Sequence, residues 1–362
     1  MAIRVLHIVT YMGRGGLETM IMNYYRHIDR NKVQFDFLVH RDFEADYDNE
    51  IETMGGRIYR LPQLNPIGKQ YLSELNLFFA EHSEYKIVHC HLDCMAGIPL
   101  KAAKKYGVPV RIAHAHNSNQ TKDAKYILKL FFKRNIPKYA TKLFACGTQA
   151  GQWMFKTDDF HVMNNAIDVS QYTYSNIVAS EMRKALGILP GEKVCGHVGR
   201  FMAQKNHEFL VYVFAKMPSN TKLLLVGDGE LHESMEKLAE ELGVRDRVLF
   251  MGVRADVNRL LQAMDIFVFP SLYEGLPVSL IEAQAAGISC IVSDRVPREC
   301  KIIDNMEFLS LDESAEVWAE HIMQHMNDKR SDAAKEICKA GYDIVKNAEW
   351  LQNFYLTEAK NE

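Results

Sequence analysis

Two glutamates, Glu274 and Glu282, have the residue type and the spacing that suit the binding of a sugar. They lie eight positions apart, the first in a predicted loop and the second on the helix predicted to follow it. A carboxylate can accept hydrogen bonds from two neighbouring hydroxyls, such as those of ribose or a hexose. Upstream, Arg200 and Lys205 supply two cations, which suit a pair of phosphates. The four side chains together predict a site for a sugar attached to a diphosphate.

The local sequence around each of these side chains predicts which part of the ligand it binds. Arg200 and Lys205 follow a predicted strand that ends at Gly199, where cations can stabilise a diphosphate as it departs. Pro277 stands at the start of a helix predicted over 278–286, whose first amides favour an anion. A carboxylate beside that anion is repelled unless it faces hydroxyls, so we predict that Glu274 binds the sugar and Glu282 the ribose. The alternatives are a solvated loop and two surface glutamates.

A glycine-rich turn follows the first predicted strand near the N-terminus. Gly13, Gly15 and Gly16 would let backbone amides approach a phosphate or a sugar without an intervening side chain. The spacing lacks the third glycine of the dinucleotide fingerprint, so an NAD site is an alternative with an incomplete motif. A bare turn between strand and helix is the other alternative.

Two pairs of histidines stand at the ends of predicted strands. His89 and His91 form one pair and His114 and His116 the other, and alternate positions on a strand share one face. Two such imidazoles could bind zinc, which makes a metal-dependent hydrolase an alternative function. Neither pair has an evident further ligand in the sequence. We therefore predict no metal site, and we predict that His116 acts at the reacting sugar.

The elements that must position these residues follow the rhythm of βαβ units. Helical stretches separate short apolar runs, which predict buried parallel strands. The runs are residues 3–9, 34–39, 86–90, 109–114 and 142–146, then 194–199, 222–226, 247–251, 265–269 and 289–292. A polar stretch after Asp168 separates the two series. The sequence therefore predicts an α/β protein with two doubly wound Rossmann-like domains, 1–168 and 169–345, facing each other across a cleft.

Composition narrows the class of protein further. A chain of 362 residues exceeds the size of one core, its formal charge of −3 argues against nucleic-acid binding, and its seven cysteines are scattered. Unpaired cysteines fit a reducing cytoplasm, and no apolar stretch approaches the roughly 20 residues of a membrane span. We predict a cytoplasmic protein, either soluble or resting on the inner face of a membrane.

The segment 121–142 gives a reason to consider that membrane surface. Apolar residues alternate there with many cations, a composition that suits anionic lipid. The cations are Lys122, Lys125, Lys129, Lys133, Arg134, Lys138 and Lys142, against the single acid Asp123. An ordinary solvated helix face over the core explains the pattern equally well.

The motifs taken in order resemble those of glycosyltransferase family four, and 111–117 resembles its bacterial capsule and exopolysaccharide members. The motifs are Gly15–Glu18, His116, Arg200 with Lys205, Gly227–Glu230, Gly252–Val253 and Glu274–Glu282. The resemblance implies a GT-B fold. It also implies transfer of a hexose from a nucleotide sugar, most commonly a UDP-sugar, to a saccharide or lipid-linked saccharide with retention of configuration. Neither a metal nor a cofactor is implied. A nucleotide-sugar epimerase or a binding protein of the same fold is the alternative.

The resemblance also implies a role for each matching residue. Glu274 would hold the donor sugar, Glu282 the ribose, and Arg200 and Lys205 the diphosphate. Backbone groups would complete the donor site, with the amides near Gly15, Gly16, Leu276 and Val278 at the phosphates and the backbone of Val253 at the base. A helix over 346–362 would pack back on the first domain.

Overall fold

The computed structural model describes residues 2–119 and 126–360. The chain forms two compact units. The first contains the residues up to Ala166 together with those from Ile344 onward, and the second spans Ile167–Asp343. The sequence placed these divisions at residues 168 and 345. Each unit is a parallel β-sheet with helices on it, so the predicted fold class of two Rossmann-like α/β domains is confirmed.

The first unit is built on a seven-stranded parallel sheet in the order β3-β2-β1-β4-β5-β6-β7. Strands β2 and β4 are buried along their whole length and β1 and β5 over most of it, as the continuous apolar runs predict. The strands are β1 (Ile3–Ile8), β2 (Val33–Val39), β3 (Ile58–Arg60), β4 (Ile87–Cys90), β5 (Val110–Ala115), β6 (Lys142–Ala145) and β7 (His161–Val162).

The helices of this unit connect successive strands. The longest amphipathic helices of this unit bury one face. On the first helix, the buried residues include Met20, Tyr24 and Tyr25. The helices are α1 (Gly16–His27), α2 (Asp48–Thr53), α3 (Lys69–Glu81), α4 (Gly97–Lys105), α5 (Tyr126–Lys133), α6 (Ile136–Tyr139) and α7 (Thr148–Phe155).

The second unit repeats this architecture with six strands in the order β10-β9-β8-β11-β12-β13. The strands are β8 (Lys193–Val198), β9 (Thr221–Val226), β10 (Val248–Phe250), β11 (Ile266–Phe269), β12 (Ser289–Ser293) and β13 (Met306–Leu309). The helices are α8 (Asn176–Ala185), α9 (His207–Ala215), α10 (His232–Glu241), α11 (Val257–Ala263), α12 (Val278–Ala285), α13 (Ala315–His325) and α14 (Ala334–Ile337). Phe201, Leu225 and Trp318 are among the buried side chains of its core.

Three strands that the sequence analysis missed, β3, β7 and β13, all lie at sheet edges. An edge strand has a neighbour on one side only and need not be apolar on both faces. Both residues of β7 are exposed, and β3 is at most half-buried. The continuous apolar run that predicts a buried strand is therefore missing at these positions.

A final helix, α15 (Ile344–Glu358), belongs to the first unit although it follows the second in the chain. It packs against α1, and its buried side chains include Leu351 and Tyr355. Lys142 at the start of β6 forms an ion pair of 2.7 Å with Glu358. None of the helices in the described residues has the length and apolar character that crossing a bilayer requires.

Candidate functional site

Two loops of the second unit meet beyond the carboxyl ends of the adjacent strands β8 and β11. The backbone amide of Leu272 donates to the carbonyl of Gln204 at 2.8 Å. The side-chain amide of Asn206 donates to the carbonyl of Pro270 at 3.2 Å. Ligands of open α/β sheets bind at this edge. The structure thus brings together the loop that carries Lys205 and the loop that carries Glu274.

Lys205 and Glu274 form a buried ion pair at this edge. The Lys205 Nζ lies 2.6 Å from Oε1 of Glu274, and the two side chains are 16% and 6% exposed. Gln204 donates from Nε2 to the other carboxylate oxygen at 3.3 Å, and Lys205 also lies over the ring of Phe269. A carboxylate oxygen can accept more than one hydrogen bond. Glu274 is therefore held in position by Lys205 and Gln204 and has the chemistry of a hydroxyl acceptor.

Arg200 lies at the end of β8, directly against the loop after β9. Its neighbour Phe201 donates its backbone amide to the carbonyl of Asp228 at 3.0 Å. A Cβ on Gly227, where φ is +131°, would stand 2.2 Å from the carbonyl oxygen of Gly199. Only glycine allows the two backbones to approach so closely. This approach holds the exposed Arg200 at the same sheet edge as Lys205.

Glu282 is buried on α12 with a tyrosine as its partner. Its side chain is 6% exposed, and Tyr172 donates its hydroxyl to Oε1 at 2.7 Å. Burial raises the pKa of Glu282 to about 7, against the opposing effect of the Tyr172 hydrogen bond. The carboxyl therefore changes charge near neutral pH, and the second oxygen remains an acceptor for a ligand hydroxyl.

Helix α12 starts where the sequence predicts and ends one residue earlier. Pro277 occupies the N-cap position, one residue before the first turn, and the helix ends at Ala285. The first amides of a helix have no partner inside it. Leu276 and Val278, the predicted backbone contacts, flank Pro277 and have buried side chains. Their side chains therefore anchor the loop while the helix start can face an anion.

Val253 lies at the same edge of the sheet as Glu274, and the two strands β9 and β8 stand between their strands in the order β10-β9-β8-β11. It follows β10 and is 48% exposed. Gly227 donates its amide to the carbonyl of Gly252 at 2.9 Å, which joins the loops after β9 and β10. The predicted base, diphosphate and sugar contacts of the second unit therefore follow one another along a single edge.

The glycines of the first unit lie where β1 turns into α1. Gly15 is the N-cap of the helix, and Gly16 is its first residue. A Cβ on Gly15 would stand 2.3 Å from Oε2 of Glu18, whereas a Cβ on Gly16 would meet no atom within 4 Å. The flexible carboxylate of Glu18 can move aside, so this contact does not by itself require glycine at position 15, and open space surrounds position 16.

Five histidines of the first unit stack on one face of its sheet. His7 on β1 is the register partner of His89 on β4, and the pairs 89/91 and 114/116 continue the row along β4 and β5. His7, His89, His91 and His114 are buried, and His116 is half-buried. Burial lowers the pKa of His7 and His116 to about 3 and takes the pKa of the other three well below the ordinary value. All five imidazoles are therefore neutral at physiological pH.

Hydrogen bonds link these rings in two chains. His91 lies between His7 and His116, with its Nε2 3.0 Å from Nδ1 of His7 and its Nδ1 2.9 Å from Nε2 of His116. His89 lies between Tyr355 of α15 and His114, at 2.6 Å and 3.1 Å. The sequence analysis found no further ligands for the two histidine pairs. The structure supplies them, because it places three histidines together in two overlapping groups.

Comparison with known proteins agrees with this geometry. A model of "Glycosyltransferase Family 4" matches residues 14–171, and a model of "Glycosyl transferases group 1" matches residues 178–343. EpsF of Bacillus subtilis (strain 168), a protein assigned as a glycosyltransferase, is 37% identical over 97% of this chain and 96% of its own. The chain therefore belongs to the glycosyltransferases that these two family models describe.

Two more distant proteins extend the comparison of the glycosyltransferase. The UDP-Gal:alpha-D-GlcNAc-diphosphoundecaprenol alpha-1,3-galactosyltransferase of Escherichia coli is 25% identical over 77% of each chain. The crystal structure of Anabaena HepE in complex with UDP-glucose has a TM-score of 0.80 and 17% identity, and the match covers 98% of this chain and 99% of that chain. The glycosyltransferase therefore has the GT-B fold, and a metal-dependent hydrolase is not favoured.

Sequence reasoning missed three partners of the site residues in this glycosyltransferase. Gln204 and Tyr172 hold the two glutamates, and His7 completes the histidine row. Gln204 is next to Lys205 in the sequence, so its position gave a signal. His7 stands on a strand that the sequence predicts, but only the order of strands in the sheet places it beside His89. Tyr172 is 110 positions from Glu282, and no sequence pattern links them.

Proposed function

We propose that this glycosyltransferase transfers a hexose from a UDP-sugar to a saccharide or lipid-linked saccharide in the synthesis of a surface polysaccharide. The observation that carries the proposal is the buried Lys205–Glu274 pair, which puts a cation for phosphate and an acceptor for sugar hydroxyls side by side. The start of α12 and Arg200 lie at the same sheet edge, so a diphosphate there meets positive charge from several directions.

The donor lies along the carboxyl edge of the second unit in this proposal. The backbone of Val253 contacts the base, Glu282 accepts the ribose hydroxyls, and Glu274 accepts hydroxyls of the sugar. Arg200, Lys205 and the amides at Leu276 and Val278 bind the diphosphate. No organic cofactor is proposed, and protein cations rather than a metal neutralise the phosphates. Support comes from the order of these residues along the strands β10-β9-β8-β11.

The reaction that this arrangement supports proceeds with retention. The bond between the anomeric carbon and the phosphate oxygen breaks as the cations stabilise the leaving diphosphate. The acceptor oxygen bonds to the anomeric carbon from the same side, and its proton passes to a phosphate oxygen. Glu274 is engaged by Lys205 and Gln204, which suits a role in holding the sugar better than one as a nucleophile.

The first unit contributes His116 and the glycine turn in this proposal. The Nε2 of His116 faces His91, which leaves Nδ1 as the ring nitrogen for a sugar hydroxyl. Gly15 and Gly16 offer backbone amides of the kind that contact a phosphate, and the open space at Gly16 suits a ligand. His116 is neutral, so it orients the sugar by hydrogen bonding and adds no charge.

The UDP donor and the lipid-linked acceptor are proposed from relatives and from one surface of the first unit. The E. coli relative is named for UDP-galactose and a diphosphoundecaprenol acceptor, and HepE was crystallised with UDP-glucose. On α5, Ile127 and Phe131 are 81% and 62% exposed. Arg134 is exposed beside them, and such a surface suits anionic lipid. Lys122, Asp123 and Lys125 of the predicted membrane segment lie outside the described residues.

The test is release of nucleoside diphosphate from a panel of nucleotide sugars, with and without acceptor. We expect release from a UDP-sugar only when an acceptor is present, and faster release when a lipid-linked acceptor is delivered in anionic rather than zwitterionic vesicles. Release without acceptor would indicate a hydrolase, and conversion of the donor to an isomer would indicate an epimerase. Binding without any turnover would leave only a nucleotide-sugar binding protein.

Binding of UDP should depend on pH through Glu282. Its pKa is raised to about 7, and the carboxylate accepts two ribose hydroxyls better than the protonated acid does. We expect the dissociation constant, measured by calorimetry, to rise by up to about tenfold for each pH unit below this value.

The Glu282→Gln variant is the control for this pH dependence. It should bind UDP more weakly and keep only the pH dependence that the phosphates themselves contribute. Parallel curves for the two proteins would show that Glu282 does not titrate in the site. Without ligand, the wild type should lose stability as pH rises from the ordinary carboxyl value toward 7, because the unfolded chain releases its proton first. The variant should lack this loss.

A further inference from the structure

The histidine row of the first unit contains a set of ring nitrogens arranged as metal ligands. One nitrogen from each of His91, His114 and His116 lies within 4.8 Å of the others. The two closest, Nδ1 of His91 and Nε2 of His116, are 2.9 Å apart. Tetrahedral zinc at its usual bond lengths separates two ligand nitrogens by roughly 3.3 Å. Opening this pair by a few tenths of an ångström and turning the stacked His114 ring toward it would admit the ion.

The third histidine has a buried nitrogen whose lone pair or proton is not satisfied. Nδ1 of His114 is engaged by His89, and within the described part of the chain its Nε2 has no hydrogen-bond partner. A buried polar atom without a partner is unfavourable unless it serves a purpose. With the His114 proton on Nδ1, a metal ion bound between His91 and His116 would accept the lone pair of Nε2.

A second layer of side chains already orients the three rings. Nε2 of His91 meets His7, and Nδ1 of His114 meets His89, which in turn meets the Tyr355 hydroxyl. Ligating histidines almost always engage their other ring nitrogen in this way, which fixes the tautomer and the ring plane.

The overlapping group of His7, His89 and His91 is a poorer site. Both ring nitrogens of His89 are engaged already, by Tyr355 and His114. The three rings are also fully buried, whereas His116 is half-buried beyond the end of β5. An ion needs an entry path, and the open end of the row at His116 offers one.

We propose that His91, His114 and His116 bind one divalent transition-metal ion, of which Zn²⁺ is the natural representative. Three neutral imidazoles suit zinc and its neighbours and do not suit Mg²⁺ or Ca²⁺, which prefer oxygen ligands. Three protein ligands leave a fourth position open, as in zinc sites that act on a bound molecule. The ion would hold Nε2 of His116 and keep the proton on Nδ1, which becomes a donor toward the sugar.

Metal analysis of the full-length protein without a histidine tag tests this proposal. The chain is stripped with a chelator, dialysed against buffered Zn²⁺ or Mg²⁺, and analysed for bound metal. We expect one Zn²⁺ per chain and no Mg²⁺. Replacement of Zn²⁺ by Co²⁺ should give the visible absorption of a tetrahedral site. This readout does not depend on sugar transfer, so it fails or succeeds independently of the proposed function.

The variants His116→Asn and His91→Asn locate the site. Each should weaken Zn²⁺ binding by more than the roughly 10–100-fold that loss of an outer partner causes. His161→Asn, at an exposed histidine on β7 of the same sheet, is the matched control and should bind Zn²⁺ as the wild type does. Circular dichroism shows whether each variant folds, and His116 is the half-buried position that tolerates change best. A wild type that binds no Zn²⁺, or a folded His116→Asn protein with unchanged affinity, would overturn the proposal.

Discussion

The Arg200→Ala protein transfers sugar on the order of 10²-fold or more slowly than the wild type, if the arginine stabilises the departing diphosphate. The loss should appear mainly in kcat, because the negative charge on the leaving group increases in the transition state. Arg200→Lys should restore part of the rate, since lysine supplies the charge but not the bidentate geometry. Steady-state kinetics with a UDP-sugar and an acceptor measures these effects.

An exposed arginine elsewhere in the second unit serves as the control for this prediction. Arg259 on α11 forms an ion pair with Glu181 at 3.1 Å, with both side chains well exposed. Arg259→Ala should leave kcat unchanged and alter stability little. Arg200 is also exposed, so its replacement should not unfold the protein. Undiminished transfer by Arg200→Ala would remove the arginine from the mechanism.

Breaking the Lys205–Glu274 pair should be the most destabilising single change in the donor site. Lys205→Met leaves the Glu274 carboxylate buried without its cation, and Glu274→Gln leaves the ammonium without its anion. Each change should lower the free energy of unfolding by about 3 kcal/mol, the size found for buried pairs that lose one partner. Denaturant unfolding of the full chain measures the change.

The double variant separates the pair from the two individual side chains. Because neither charge is then left alone, the combined loss should be smaller than the sum of the two single losses. Lys237 and Glu233 on α10 form a pair of 2.9 Å that is fully exposed, and the same cycle there should show no measurable coupling. Additive losses at 205 and 274 would show that the ion pair is not a stabilising contact.

The sequence predicts the strands that are buried on both faces of their sheet. Apolar runs such as 222–226 and 265–269 match β9 and β11 within a residue or so, because central strands of a parallel sheet cannot be polar. The position of Glu274 in the loop after β11 followed from the same argument. The edge strands β3, β7 and β13 lack a continuous apolar run and were missed, whereas the edge strand β10 has one and was predicted.

The side-chain contacts of the site could not be predicted from such apolar runs. Sequence reasoning treated Glu274 and Lys205 as separate ligands, whereas the structure pairs them at 2.6 Å. It also took the histidine pairs as isolated. The order of strands β1, β4 and β5 in the sheet makes them neighbours, and that order is fixed by the packing of the whole unit. Side-chain pairing across such distances along the chain depends on topology more than on local sequence.

The place of α15 affects how the polypeptide is assembled during translation. The helix lies on α1, and its Tyr355 reaches His89, yet the ribosome makes it only after the whole of Ile167–Asp343. The surface of the first unit that α15 covers therefore stays exposed until the whole second unit has been synthesised. A fragment that stops at Ala166 would keep that surface exposed and would tend to aggregate. The first unit can therefore complete its folding only after the second unit has been synthesised.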